Sequence, residues 1–171
     1  GNDDGNFMKA SKYISNFANL KIDGLIFVPI GCSSKEEYET KNLKLIKQIE
    51  QSGIPYVLFH RLINTYNTAA VTLDDYNIAY QLIMKFLKRN IKKPICLSHY
   101  FTSSTAFREQ GFIDALTDFG FSNPRQNVFR IHPSGQTVNS KVSDQIIKIL
   151  QENNDIDGIF AVENDILSVA L

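Results

Sequence analysis

The chain has 171 residues, enough for one domain of common size or two small lobes and too few for a large multidomain assembly. Apolar residues make up 43% and charged residues 21%, ordinary usage for a globular chain, which excludes disorder, collagen and coiled coil. Eighteen Lys plus Arg offset eighteen Asp plus Glu for a formal net charge of +0, so the basic excess by which a domain grips nucleic acid is missing.

The longest apolar run, Gly24 to Ile30, is far too short to span a bilayer. The first residues, Gly1-Asn2-Asp3-Asp4-Gly5, lack the basic-then-apolar order of a signal peptide, and no membrane partner is expected. Cys32 and Cys96 have neither the spacing of a metal knuckle nor the density of a disulfide scaffold. They read as free thiols of a reducing compartment, Cys96 in a strand.

Along the chain, short β-branched and apolar runs alternate with stretches of 3.6-residue periodicity. A helix with Ala10, Tyr13, Ile14 and Phe17 on one face leads to a strand at Gly24 to Val28, apolar at every position and so expected to be covered on both faces. The next helix starts after Ser33-Ser34 with Glu36, Glu37 and Glu39, carries Lys41, Lys44 and Lys47 further on, and stops at Gly53, as caps and helix dipole prefer. Strands follow at Ile54 to Phe59 and Ala70 to Leu73, separated by the polar turn Asn64-Thr65-Tyr66-Asn67 with no helix between.

A helix bearing Ala79, Leu82, Ile83, Phe86 and Leu87 precedes a strand at Pro94 to Ser98. Then come a helix with Phe112, Ala115, Leu116 and Phe119, a strand at Val128 to Ile131, a helix with Val142, Ile146, Ile149 and Leu150, and a strand at Ile156 to Val162. Such alternation predicts an α/β fold, parallel sheets flanked by helices, because parallel neighbours need crossovers. The chain starts on a helix and ends a few residues into another, at Ile166 to Leu171, as expected of a piece of a longer protein.

In open α/β sheets ligands bind beyond the carboxyl ends of the strands. Those positions hold Pro29 to Cys32, His60-Arg61, Asp74-Asp75, His99-Tyr100-Phe101, His132 and Glu163-Asn164-Asp165, a polar and aromatic set suited to a small hydroxylated ligand. The three histidines have no i, i+4 pairing and no Cys/His cluster, so no metal is expected. Pro133-Ser134-Gly135-Gln136-Thr137 lacks the second Gly and the Lys of a phosphate loop, no G-x-G-x-x-G or G-x-S-x-G occurs, and no cofactor is expected.

Ser103 and Ser104 read as loop and cap residues. The acids at Asp74-Asp75 and Glu163 to Asp165 stand where helices begin and read first as caps. Phe107, Phe112 and Phe119 read as core. Arg108 falls near the start of a helix, where the dipole disfavours a cation, a cost explained by a guanidinium that grips hydroxyls or a carboxylate.

Five segments in order carry a resemblance: Ile22-Asp23-Gly24-Leu25-Ile26 ending at Pro29, Gly53 to Arg61, Val71 to Tyr76, Arg108-Glu109-Gln110-Gly111-Phe112 with Ala115-Leu116, and Asp157 to Asp165. Together they resemble the effector-sensing domain of the lactose/galactose-repressor family, which has the two-lobed periplasmic-binding-protein fold. The resemblance implies ligand contacts from Arg61, Arg108 and Asn164, and strand-tip position adds His60, Asp74 and Tyr100. His60 stands where the family usually has Asp, so a group that can donate, accept or charge replaces one that only accepts when ionised. The family's Gly-His before the fourth strand is replaced by Ile91-Lys92-Lys93.

The resemblance further implies that residues 1–73 form part of an amino-terminal lobe and 74–171 part of a carboxy-terminal lobe. The first strand-helix-strand unit and the C-terminal elements would be missing. A saccharide or similar polar effector would bind between the lobes, without covalent chemistry, in a cytoplasmic homodimer that contacts DNA through a helix-turn-helix outside this chain. The alternatives are an exported sugar-binding protein or receptor ectodomain of the same fold, and an α/β enzyme using His60 and His99. On the binding readings, alanine at 108 is expected to abolish affinity and leave the fold intact.

Overall fold

The computed structural model describes residues 2–131, 140–164 and 166. Helices α1 (Phe7–Asn19), α2 (Lys35–Gln51), α3 (Asp75–Leu87), α4 (Ser103–Asp118) and α5 (Ser140–Glu152) alternate with strands β1 (Leu25–Phe27), β2 (Tyr56–Phe59), β3 (Ala70–Val71), β4 (Pro94–Ser98), β5 (Val128–Arg130) and β6 (Gly158–Ala161). A 3-10 turn, Pro124–Asn127, precedes β5. Among the described residues the pairings between these strands are all parallel, in two three-stranded sheets of order β1-β2-β3 and β5-β4-β6. The chain forms two compact units, one of residues 1–73 and 100–104, the other of residues 74–99 and 105–171.

In the first unit, α1 and α2 bury Ala10, Ile14, Leu45, Ile46 and Ile49 in one cluster with Phe27 and Leu58. Phe27 and Leu58 are register partners and share a sheet face. The opposite face carries Ile26, Phe59 and Val71, which are 69%, 50% and 59% exposed. The expectation that the first strand is covered on both sides is thus corrected. Strand order β1-β2-β3 steps in one direction, so a right-handed crossover through α2 serves only one face, and the link from β2 to β3 contains no helix.

The second unit reverses direction, and this is what wraps its sheet on both sides. β4 is central, with β5 on one side and β6 on the other, so the crossovers through α4 and α5 fall on opposite faces. All five residues of β4 are buried. Cys96 faces a cluster with Ile83, Leu87, Phe112 and Leu116, whereas Ile95 and Leu97 face Val142, Ile146 and Ile166. Phe112 is fully buried, but Phe107 and Phe119 are exposed, which corrects their reading as core. Phe107 lies five residues before Phe112, well round the helix, and Phe119 follows the last helical residue.

Helix starts follow capping chemistry. The side chains of Asn6, Ser34 and Asp74 accept the backbone N–H groups of Lys9, Glu37 and Asn77. Glu37 also pairs with Lys41 and accepts the Ser33 hydroxyl and, at 3.1 Å, the Ser33 N–H, and these contacts, Lys41 foremost, hold its carboxyl down at about 2. A depressed acid contributes stability above its unfolded value that is lost as pH falls toward the folded one. Acid titration from pH 5 to 2 is therefore expected to loosen the start of α2, and Glu37→Gln to remove that portion of the pH dependence, as read by amide exchange at Glu37 to Glu39.

Candidate functional site

The carboxyl end of the first unit's sheet is fastened by α2. Asn42, fully buried, accepts the Ile30 N–H at 2.7 Å and donates to Ile30 O at 2.9 Å and Tyr38 O at 2.8 Å, which clamps the loop after β1. The Tyr38 hydroxyl donates to Leu62 O at 2.9 Å in the loop after β2. Arg61 links the two loops by donating from Nη1 to Pro29 O at 2.9 Å. Residues 100–104 add a third side: Cys32 and Phe101 exchange backbone hydrogen bonds of 3.0 and 2.7 Å, and the Phe101 ring meets Tyr38 edge-on.

His60 sits in this loop with φ 68°, a left-handed value uncommon outside glycine. Its N–H donates to Val71 O at 2.8 Å, the Arg61 N–H closes a γ-turn onto Phe59 O at 2.8 Å, and the Ser104 hydroxyl donates to His60 O at 2.9 Å. Ser103 accepts the Leu62 N–H at 2.7 Å. Such a conformation costs about 1 to 3 kcal/mol and persists where surrounding bonds impose it. Ser103 and Ser104 are the first residues of α4, and both hydroxyls are engaged with the His60–Leu62 loop.

In the second unit the organiser is Arg108. Its Nε and Nη2 lie 2.8 and 2.7 Å from Asp75 Oδ1, and Nη1 donates to Val162 O at 2.7 Å. The carboxylate that the guanidinium grips is therefore the chain's own. Arg108 ties the start of α3 to the end of β6, next to Glu163 and Asn164, and the neighbouring Glu109 binds Arg130 at the end of β5 at 2.6 Å. Asp74 caps α3 as expected of most acids at these helix starts, while Asp75 is buried in the ion pair. His99, also buried, places Nε2 3.9 Å from Glu163 Oε2, and Asn164 is exposed.

With this geometry in hand, the chain matches the family of periplasmic binding proteins and sugar-binding domains of LacI type over residues 2–168. The chain belongs to that family. Among solved structures it is similar to transcription regulator CcpA of Lactococcus lactis, with a TM-score of 0.77 and 18% identity over 99% of this chain and 57% of that one. It is also similar to a transcriptional regulator CelR-cellobiose complex, TM-score 0.75 and 15% identity over 95% and 47%. A third is GanP, a glucose-galactose binding protein from Geobacillus stearothermophilus, TM-score 0.68 and 15% identity over 96% and 56%. The chain thus spans about half the length of these structures, and the likeness establishes their fold. No curated protein sequence matches it.

For this periplasmic-binding-protein-like domain, the six residues singled out from sequence divide evenly. His60, Arg61 and Tyr100 belong to the first unit, and Asp74, Arg108 and Asn164 to the second. His132, the Pro133–Thr137 segment and Asp165 lie outside the described residues. Among the described residues no group of three or more His, Cys, Asp or Glu side chains gathers to hold a metal, and no helix is long and apolar enough to cross a membrane. Alanine at 108 is not a pure binding probe, since the Asp75 carboxylate it leaves behind is buried.

The sequence gives no role to Asn42 or Tyr38, and it reads Ser103, Ser104 and Asp75 as loop or cap residues, not as the partners of the His60–Leu62 loop and of Arg108. Asn42 left one trace in sequence: a polar side chain on the apolar face Tyr38, Leu45, Ile46, Ile49 of a helix. Cys32 and Cys96 are buried free thiols, and burial raises Cys32 to about 11 and Cys96 well above its usual value. At pH 8 the folded chain is expected to react with iodoacetamide on the order of a hundred times more slowly than the chain in urea, read by mass spectrometry.

Proposed function

We propose that this chain is the effector-sensing part of a LacI-type transcriptional regulator and that it binds a sugar or similar polar metabolite without transforming it. In this reading His60, Arg61 and Tyr100 supply contacts from the first unit, and Asp74, Arg108 and Asn164 from the second. A ligand that bonds groups of both units favours whichever arrangement lets it reach both, and closure of that kind transmits the signal. The regulator acts as a cytoplasmic homodimer, and a segment outside this chain contacts DNA.

The observation that carries the proposal is the family match across residues 2–168, joined to hydrogen-bonding groups at the carboxyl ends of both sheets. Amides, guanidinium groups and carboxylates held on rigid elements are the donors and acceptors that hydroxyl-rich ligands need. The Ser103 and Ser104 hydroxyls are engaged in holding the His60–Leu62 loop, which favours binding over catalysis.

The test is a thermal-shift and calorimetric screen of the chain against D-glucose, D-galactose, D-fucose, cellobiose and their phosphates. A true effector present at a hundred times its Kd raises stability by about 2.7 kcal/mol. Absence of binding throughout the panel, or conversion of any member to product, refutes the proposal. The coding sequence upstream of Gly1 separates a regulator from an exported receptor: a helix-turn-helix supports the first, and a signal peptide refutes it.

A further inference from the structure

The loop after β1 reaches the carboxyl end of the sheet as Pro29-Ile30-Gly31-Cys32, and nothing in its own sequence fixes its path. Arg61 holds its start at Pro29 O and Phe101 its end at Cys32, and between them a single carboxamide fixes Ile30. Asn42 uses its oxygen on the Ile30 N–H and its nitrogen on the Ile30 and Tyr38 carbonyls, so both polar groups of one loop residue are held by one side chain projecting from α2. The side chain is fully buried, where an unpaired polar group is costly and where only a group that both donates and accepts satisfies all three partners. One turn earlier on the same helix, Tyr38 holds Leu62 O, and Arg61 then joins the second loop to the first through Pro29 O.

We propose that Asn42 is a positioning residue for ligand binding: it sets the Pro29–Cys32 loop, and through Pro29 the guanidinium of Arg61, without touching the ligand. This rests on the binding function proposed above. A positioning role differs from an ordinary core role in what its loss disturbs. Loss of a core side chain loosens β1 and β2, whereas loss of Asn42 frees the loop and leaves the strands in place.

Asn42→Asp tests this with a built-in reversal. Its ionised carboxylate still accepts the Ile30 N–H but opposes two carbonyl oxygens; its protonated form recovers one donor. Burial raises such a carboxyl, so lowering the pH from 8 to 5 restores much of the clamp. The neighbouring titratable groups, Tyr38 raised to about 12 and Cys32 raised to about 11, stay neutral throughout, and the unaltered chain, measured in parallel, reports any contribution from His60. Asn42→Leu, which has no proton to regain, serves as the control.

Amide-exchange protection factors in the full chain give the first readout. In Asn42→Asp at pH 8, Ile30 and Cys32 are expected to lose protection at least tenfold while Leu58 in β2 keeps its own, with recovery at pH 5; Asn42→Leu loses it at both. The second readout is titration with the panel of D-glucose, D-galactose, D-fucose and cellobiose, where affinity for any member that binds is expected to fall at least tenfold at pH 8 and to recover at pH 5 in the Asp variant alone. Equal loss at Leu58 and Ile30, failure of either variant to fold, unchanged loop protection, or a sugar held equally well by Asn42→Leu would each overturn the proposal. If no sugar binds the unaltered chain, the sugar reading and with it the ligand-positioning role fail, while the exchange data still decide whether Asn42 sets the loop.

Discussion

Replacing Arg108 by alanine is expected to destabilise the second unit by about 3 to 5 kcal/mol, because removal of one member of a buried ion pair leaves the other charge without its partner in a poorly solvated place. The partner here is Asp75, only 3% exposed, with Nε and Nη2 both on its Oδ1. The same substitution releases Val162 O, so the end of β6 loses its tie to α4. Truncating both residues, Arg108→Ala with Asp75→Ala, is expected to be less harmful than Arg108→Ala alone, since no stranded carboxylate remains. Urea denaturation of the two single variants and the double variant checks this, and a loss below about 1 kcal/mol for Arg108→Ala would show that water solvates Asp75 after all. Affinity measurements at position 108 therefore belong on Arg108→Lys, which keeps a cation opposite Asp75.

Gly111→Ala is the second severe substitution. A Cβ at this position would stand 2.4 Å from Tyr76 O and 3.0 Å from Tyr80 N, both backbone atoms of α3, and 3.1 Å from the Ala79 side chain. Backbone cannot rotate away as a side chain can, so the two helices must separate. Overpacking of this kind costs up to about 3 kcal/mol or more, and alanine's better helix propensity returns only about 1 kcal/mol. A net loss of about 2 kcal/mol or more is expected, together with weakening of the Tyr76–Asp114 and Tyr80–Asp118 hydrogen bonds that bridge the same helices at 3.0 and 2.8 Å. A melting temperature equal to that of the unaltered chain would refute the close approach of α3 and α4.

Much of the secondary structure was legible from periodicity. The i, i+4, i+8 spacing of Ala79, Ile83 and Leu87 marks the face that α3 buries, and Ser34 with Glu37 marks where α2 begins. β1 was misread for a definite reason. A run of apolar residues shows that a strand can be covered on both faces, but strand order decides whether it is, and order is a property of the sheet. Phe107 and Phe119 failed similarly: helical spacing does not show which side of α4 is buried, nor that the helix stops at Asp118, one residue short of Phe119.

The roles at the strand tips divide along the same line. Position after a strand singled out His60, Asp74 and Tyr100, because polar groups at the carboxyl end of a parallel sheet are visible in one dimension, whereas Arg61, Arg108 and Asn164 were singled out by the family resemblance. That Arg108 answers to Asp75, that Ser104 holds His60 in a left-handed turn, and that Asn42 carries the first loop could not be read there. These partners lie 12 to 44 positions apart in the chain. Local chemistry decides what a residue is able to bond, and only the folded path of the backbone brings it the atom it does bond.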